Sequence, residues 1–239
     1  MDTASTRSGT AAGTALVAIA AESREFSGLE ARMDDVERLD WGLDYAVRGT
    51  MGERRWVLCA HGPGPRLASV AVNRAIEREQ PAGILSTGFC GGLDPALEAC
   101  AVFVARRILD EPTGDRYETA HDNGGTLISG DRVVGTLPEK AALRQTTGAG
   151  AVDMEAAAVA RAAREAGLPL FCVRVVTDTA MEAFPMDFNT VRDGEGRFSR
   201  ARIAARAMAN PGRIRALMEL DRRTKKAAEA LGDYLANRF

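Results

Sequence analysis

Aromatic residues are scarce in this chain, 5% of 239 positions. A core large enough for one domain must therefore be built mainly from Ala, Val, Leu and Ile. Histidine is scarcer still, with His61 and His121 alone. Four cysteines (Cys59, Cys90, Cys100, Cys172) lie in or beside apolar runs and form no C-x-x-C pair. This argues against a zinc centre, and no metal is expected. It also argues against a disulfide framework, so the thiols read as buried groups in a reducing compartment. No apolar run reaches the length of a membrane span. Residues 16–21 look like a short signal-peptide core, but the segment before them is only weakly basic. A first core strand is the better reading, with a cytoplasmic location as the expectation.

What the chain does have is an uneven charge. The net charge is −2, yet residues 197–239 hold eleven Lys/Arg against four Asp/Glu. A solvated helix face is the plain reading of such a tail. Contact with an anionic membrane surface is the sharper one. A nucleic-acid partner is not expected, because the tail is short and lacks interleaved aromatics for base stacking.

Read along the chain, residues 1–13 are small and polar, and a flexible N-terminus is expected there. Residues 14–21 read as a buried strand, and 43–49 with 55–61 as a hairpin about Gly52. After the break at His61-Gly-Pro-Gly-Pro-Arg66, residues 67–79 carry helical apolar spacing. Residues 83–86 read as a strand feeding a Gly-rich turn, and 101–108 and 126–129 as further strands. Residues 151–167 read as a helix closed by Gly167 and Pro169, and 170–176 as a β-branched strand. Beyond Asn189 the sequence is helical and basic, broken at Asn210-Pro-Gly212. Strands alternating with helices imply a mixed sheet covered on both faces. The expected organisation is α/β, one domain over 14–239, with 189–239 a basic helical extension of it.

Ligands of open α/β sheets bind beyond the carboxyl ends of the strands. Three features fall at such ends: residues 22–25, the glycines of 88–92, and Thr177-Asp178. Glu155 adds a fourth, since helical spacing puts it on one stripe with Val159, Ala162 and Ala166. A carboxylate there needs donors, either ligand hydroxyls or the backbone amides of a helix start. Asp178 is either a turn former or, in a dry pocket, an acid with a raised pKa. The glycines at 62 and 64 follow a strand and open a helix. A dinucleotide fingerprint is excluded because its third small residue falls on Leu67.

Five segments together resemble one family. Thr87-Gly-Phe-Cys-Gly-Gly-Leu-Asp-Pro resembles the T-G-x-A-G-G-L-x-P loop of the methylthioadenosine/adenosylhomocysteine nucleosidases and their purine nucleoside phosphorylase relatives. Ser129-Gly-Asp131 is similar to their S-G-D. Asp153-Met-Glu-Ala-Ala-Ala-Val is similar to their M-E-x-x-A, and Val173-Arg-Val-Val-Thr-Asp178 to their V-R-x-x-S-D. Ala20-Ala-Glu-Ser-Arg-Glu25 resembles the end of their first strand. The resemblance implies a three-layer αβα sandwich with a mixed central sheet, and cleavage of a purine N-glycosidic bond. It gives Asp178 the task of protonating the base at N7, and Glu155, with Met154, the task of holding the ribose. Glu25 would activate water. Gly88 and Gly91 would let the backbone approach the ligand. Phe89, Val133 and Thr177 complete the implied substrate contacts, and Arg174 braces the site. Asp rather than Asn at 178 points to adenine. No cofactor is implied beyond phosphate as a candidate co-substrate, and a homodimer or larger homo-oligomer is expected.

The chain departs from the pattern in three places. Phe89 stands where a small or hydroxylic residue is common, Ser86 replaces the phosphorylase arginine, and Arg132-Val133 replaces the aromatic beside the purine. Arg24 and Arg66 are the remaining candidates for phosphate, so water and phosphate both stay open as nucleophile. Residues 188–233 resemble the tail of the hopanoid-associated phosphorylases, which implies adenine release from adenosyl-hopane and peripheral contact with the inner face of the membrane. A general methylthioadenosine/adenosylhomocysteine nucleosidase and a non-catalytic nucleoside-binding protein are the alternatives.

Overall fold

The computed structural model describes residues 15–208 and 210–239; the expected flexible segment 1–13 lies outside them. The first strand, β1 (Ala15–Ala20), is buried at every position. It runs parallel between β4 (Arg54–Ala60) and β5 (Gly83–Gly92). A strand flanked by partners and covered on both faces has no polar side to present, which is why its sequence is a continuous apolar run. The expected hairpin is β3 (Tyr45–Met51) paired antiparallel with β4. Beyond it lies β2 (Asp34–Arg38), exposed throughout and without apolar periodicity to betray it.

The other half of the sheet contains β6 (Val102–Asp110), β7 (Arg116–Glu118), β8 (Gly125–Ser129), β9 (Ala151–Asp153) and β10 (Leu170–Asp178). The order is β10-β6-β8-β9-β5-β1-β4-β3-β2, with β7 on β6 and a further parallel pairing of β10 with β5. That extra pairing closes β5, β10, β6, β8 and β9 into a ring. Two expectations are corrected here. The Gly-rich segment after Ser86 is not a turn but the second half of β5, hydrogen-bonded to both β10 and β9. Residues 151–153 are likewise not helix: they form β9, and the helix α4 begins only at Ala156.

Two apolar cores flank the sheet. On one face α2 (Pro65–Glu79) and α4 (Ala156–Glu165) bury alanines and valines against β1, β4 and β5. On the other face lie the single turn α1 (Ser27–Glu30) and the long α6 (Pro211–Arg238). The chain between them adds α3 (Leu137–Thr147) and α5 (Arg200–Met208). The result is three layers, as expected. α6 reaches α1 backbone to backbone: a Cβ on Gly232 would lie 2.2 Å from the carbonyl carbon of Gly28. The break between α5 and α6 falls at Asn210, whose side chain accepts from the amide of Gly212.

Candidate active site

The strand ends converge on a cavity of about 380 Å³. Glu25 reaches it from a 3₁₀ turn, Ser23–Phe26, that directly follows β1. Its Oε2 accepts from the amide of Ala21 at 3.2 Å. Gly88 lies beneath that carboxylate with φ +125°, and a Cβ there would stand 2.2 Å from Oε2. Gly91 bears the same relation to Asp178, whose Oδ2 would meet its Cβ at 3.0 Å. The glycines therefore make room for the protein's own acids.

Asp153 and Glu155 divide the start of α4 between them. Oδ2 of Asp153 accepts from the amides of Ala156 (2.9 Å) and Glu155 (3.3 Å), while Ser129 Oγ takes that of Ala157 at 3.1 Å. The helix start is thus satisfied without Glu155. Its carboxylate crosses instead to the amide of Gly64, 2.7 Å away at the entrance of α2. The Gly-Pro-Gly loop, rejected as a dinucleotide cradle, serves as the clamp on this acid. Arg174, fully buried in β10, donates to Asp153 Oδ2 at 2.6 Å and to Ser86 Oγ at 2.8 Å, so it braces the site from behind.

Asp178 ends β10. Its Oδ1 accepts from the Thr177 hydroxyl at 2.8 Å and its Oδ2 from Lys140 Nζ at 2.6 Å. Lys140, on α3, is 1% exposed. A lysine on a helix otherwise polar and exposed reads in sequence as a solvated side chain, so nothing there marked it.

All three acids are raised above their own ordinary values. Burial is the main cause at Glu25, reinforced by the charges of Glu155 and Glu22 and opposed by Arg174 and Arg24. Burial also leads at Glu155, pushed up to about 7 with help from Asp153 and against the Gly64 amide. At Asp178 burial outweighs the lowering effect of Lys140 and Thr177. At Glu155 the shift brings the carboxyl's titration close to neutral pH, and a carboxyl whose pKa is raised by burial is a better base and can pass a proton on.

Met154, Phe89, Val133 and Thr177 line the cavity with the three acids. Val133 presents its side chain only, because its amide and carbonyl are both taken by the side chain of Asn189, at 2.8 and 2.9 Å. The two phosphate candidates part company. Arg24 lines the cavity but is paired with Glu22 at 2.5 Å, whereas Arg66 is turned to the carbonyl of Glu195 at 2.7 Å and does not line it. Aromatic side chains from later in the chain also line the cavity. Phe184, Phe188 and Phe198 line the outer cavity with Ile203 of α5 and Leu217 and Leu220 of α6. The three rings meet edge to face at 5.2 and 6.0 Å between successive centroids. Among the described residues no cluster of His, Cys, Asp and Glu is arranged to hold a metal ion.

Residues 16–124 and 106–209 match the model of the phosphorylase superfamily. Among curated proteins, the chain is 25% identical to the 5'-methylthioadenosine/S-adenosylhomocysteine nucleosidase of Staphylococcus epidermidis, over 73% of this chain and 91% of that one. The corresponding enzyme of Staphylococcus haemolyticus is 23% identical over 68% and 85%. Among solved structures, the nucleosidase of Neisseria meningitidis in complex with methylthio-immucillin-A superposes with a TM-score of 0.73 at 21% identity, covering 93% of this chain and 97% of that one. Futalosine hydrolase of Helicobacter pylori gives 0.71 at 19%, covering 93% and 95%.

Proposed function

The chain belongs to the phosphorylase superfamily, and from that premise we propose that it is an enzyme cleaving the N-glycosidic bond of an adenine nucleoside. The observation that carries this reading is the convergence of Glu25 and Asp178, both buried, and half-buried Glu155, three separately anchored acids, on one cavity. Asp178 protonates the base at N7 as the bond from the sugar lengthens, so the purine departs neutral. Glu155 accepts from the ribose hydroxyls with Met154 against the sugar. Glu25 takes a proton from the attacking water. An acid assisting departure and a carboxylate activating water from the other face is the logic of glycoside hydrolysis.

Water is favoured over phosphate as nucleophile. Every candidate donor for phosphate is otherwise engaged: Ser86 is bound by Arg174, Arg24 is paired with Glu22, and Arg66 is turned to the carbonyl of Glu195, away from the cavity.

A second reading concerns the substituent on the nucleoside. The outer wall of Phe184, Phe188, Phe198, Ile203, Leu217 and Leu220 suits a large apolar group, which supports a lipid-linked substrate such as adenosyl-hopane. Met208 and Met218, 73% and 69% exposed on the basic helices α5 and α6, suit contact with an anionic membrane surface.

The test is release of free adenine from adenosine, methylthioadenosine and an adenosyl-hopane analogue, each with and without phosphate. Release without phosphate from at least one of them is expected. Strict dependence on phosphate, with a sugar 1-phosphate as product, overturns the hydrolytic reading. Tight binding without any release replaces the enzyme with a nucleoside-binding protein.

A further inference from the structure

Lys140 is the one fully buried side chain of α3, and burying an ammonium is costly unless every proton has an acceptor. It has three: Asp178 Oδ2 at 2.6 Å, the carbonyl of Thr179 at 2.6 Å and that of Glu182 at 2.9 Å. The Phe184 ring lies 5.9 Å from Nζ. The two carbonyls belong to the turn that follows Asp178, so one cation fixes both the acid and the backbone leading from it. α3 is itself firmly set. Thr136 and Glu139 form a reciprocal cap at its start, and Gly148 ends it in the left-handed conformation.

We propose that Lys140 is a positioning residue for departure of the purine, acting through Asp178 by holding Oδ2 and stabilising the carboxylate left behind. The inference rests on the reading that Asp178 serves a leaving base. As the sugar–base bond breaks, its electron pair passes to the purine and the carboxyl proton of Asp178 passes to N7. Asp178 is left as an anion in a buried site. The Lys140 ammonium is already in contact with it, and water restores the proton when the products leave. Without that cation the anion is poorly solvated, and Asp178 becomes a weaker acid.

The other charged or titratable groups about the pair are few. Glu182, on the following turn, is paired with Arg223 of α6 at 2.7 Å. Cys90 of β5 is buried, and burial pushes its thiol well up, so it stays neutral. Asp153 of β9 is neutralised by Arg174.

The test compares Lys140→Met, Lys140→Gln and Lys140→Arg. Glutamine keeps donors for the two carbonyls without the charge, which guards against a methionine variant that fails to fold. Two readouts are taken: kcat and KM for methylthioadenosine against pH, and a ¹³C NMR titration of the Asp178 carboxyl, assigned with Asp178→Asn. In the uncharged variants kcat falls about tenfold with KM little changed. The alkaline limb of the rate profile and the carboxyl titration both rise by about one pH unit or more. Arginine keeps both near the wild type. Folded uncharged variants whose carboxyl titrates as in the wild type overturn the proposal and leave Lys140 a structural tie. If the wild type cleaves no nucleoside, the proposed reaction falls by that result alone, and the NMR titration still decides the role of Lys140.

Discussion

Asp153 and Glu155 stand two residues apart and do opposite things with their charge. Asp153 gives it to Arg174 and the amides of α4, while Glu155 keeps most of its own for the cavity, with only the Gly64 amide attached. That difference has a pH signature. Glu155 has a folded pKa raised from 4.5 to about 7, so the folded state holds the proton more tightly than the unfolded chain. Its contribution to stability is complete below pH 4.5 and is lost as pH rises through 7, on the order of 3 kcal/mol. Glu25 and Asp178 are shifted in the same direction. Urea unfolding from pH 4.5 to 8 is therefore expected to show stability falling with pH, and Glu155→Gln is expected to flatten the fall. An unchanged slope in that variant would mean that the acid is hydrated in the folded protein. Under the proposed function the same substitution is expected to weaken hydrogen bonds to the ribose and to lower kcat/KM about 10- to 100-fold.

Elements were legible in the sequence wherever punctuation and apolar pattern agreed. The hairpin about Gly52, the start of α2 after Gly-Pro-Gly and the Asn210 break between α5 and α6 all carried such marks. The errors have physical causes. β9 is three residues long and runs into α4 without a glycine or proline, so the two read as one helix. The tail of β5 contains Gly88, Gly91 and Gly92, which look like a turn but hold strand pairing on either side while making room for acids. β2 is exposed throughout and Val36 is its one apolar residue, and α3 buries little beyond a lysine. The acids were legible through motif resemblance. Lys140 was not, because only the folded chain brings it to Asp178. The outer aromatics come from a segment without regular pattern.

The crossing of α1 and α6 leaves no room for a single added carbon at either glycine. With Gly28 and Gly232 in backbone contact, Gly232→Ala is expected to cost about 1–3 kcal/mol or more, since the added methyl has no space. Thermal unfolding measures that loss. Leu217, Leu220 and Thr224 of α6 line the cavity, so the variant is also expected to lose affinity for bulky substrates more than for adenosine. Equal loss for both would mean that the outer part of α6 does not touch the substrate.

For the whole molecule, positive charge gathers at the C-terminal end, where Met208, Ile214 and Met218 are also exposed. Residues 197–239 carry eleven Lys/Arg against four Asp/Glu, and among the described residues no helix is long and apolar enough to cross a membrane. Under the lipid-linked reading, sedimentation with vesicles is expected to show binding to anionic but not neutral lipid, weakening as salt rises. Met208→Ser with Met218→Ser is expected to reduce that binding while leaving cleavage of adenosine unchanged. Binding that ignores both lipid charge and the two methionines would remove the membrane from the account.

The acids and their anchoring side chains all precede residue 179, whereas the outer wall of Phe184, Phe188, Phe198, Ile203, Leu217 and Leu220 comes from later in the chain. Under the proposed function, chemistry and choice of substrate are thus written in successive stretches of one chain. A change of diet for such an enzyme needs no revision of its reaction: the C-terminal stretch can be rewritten while the acids stay as they are.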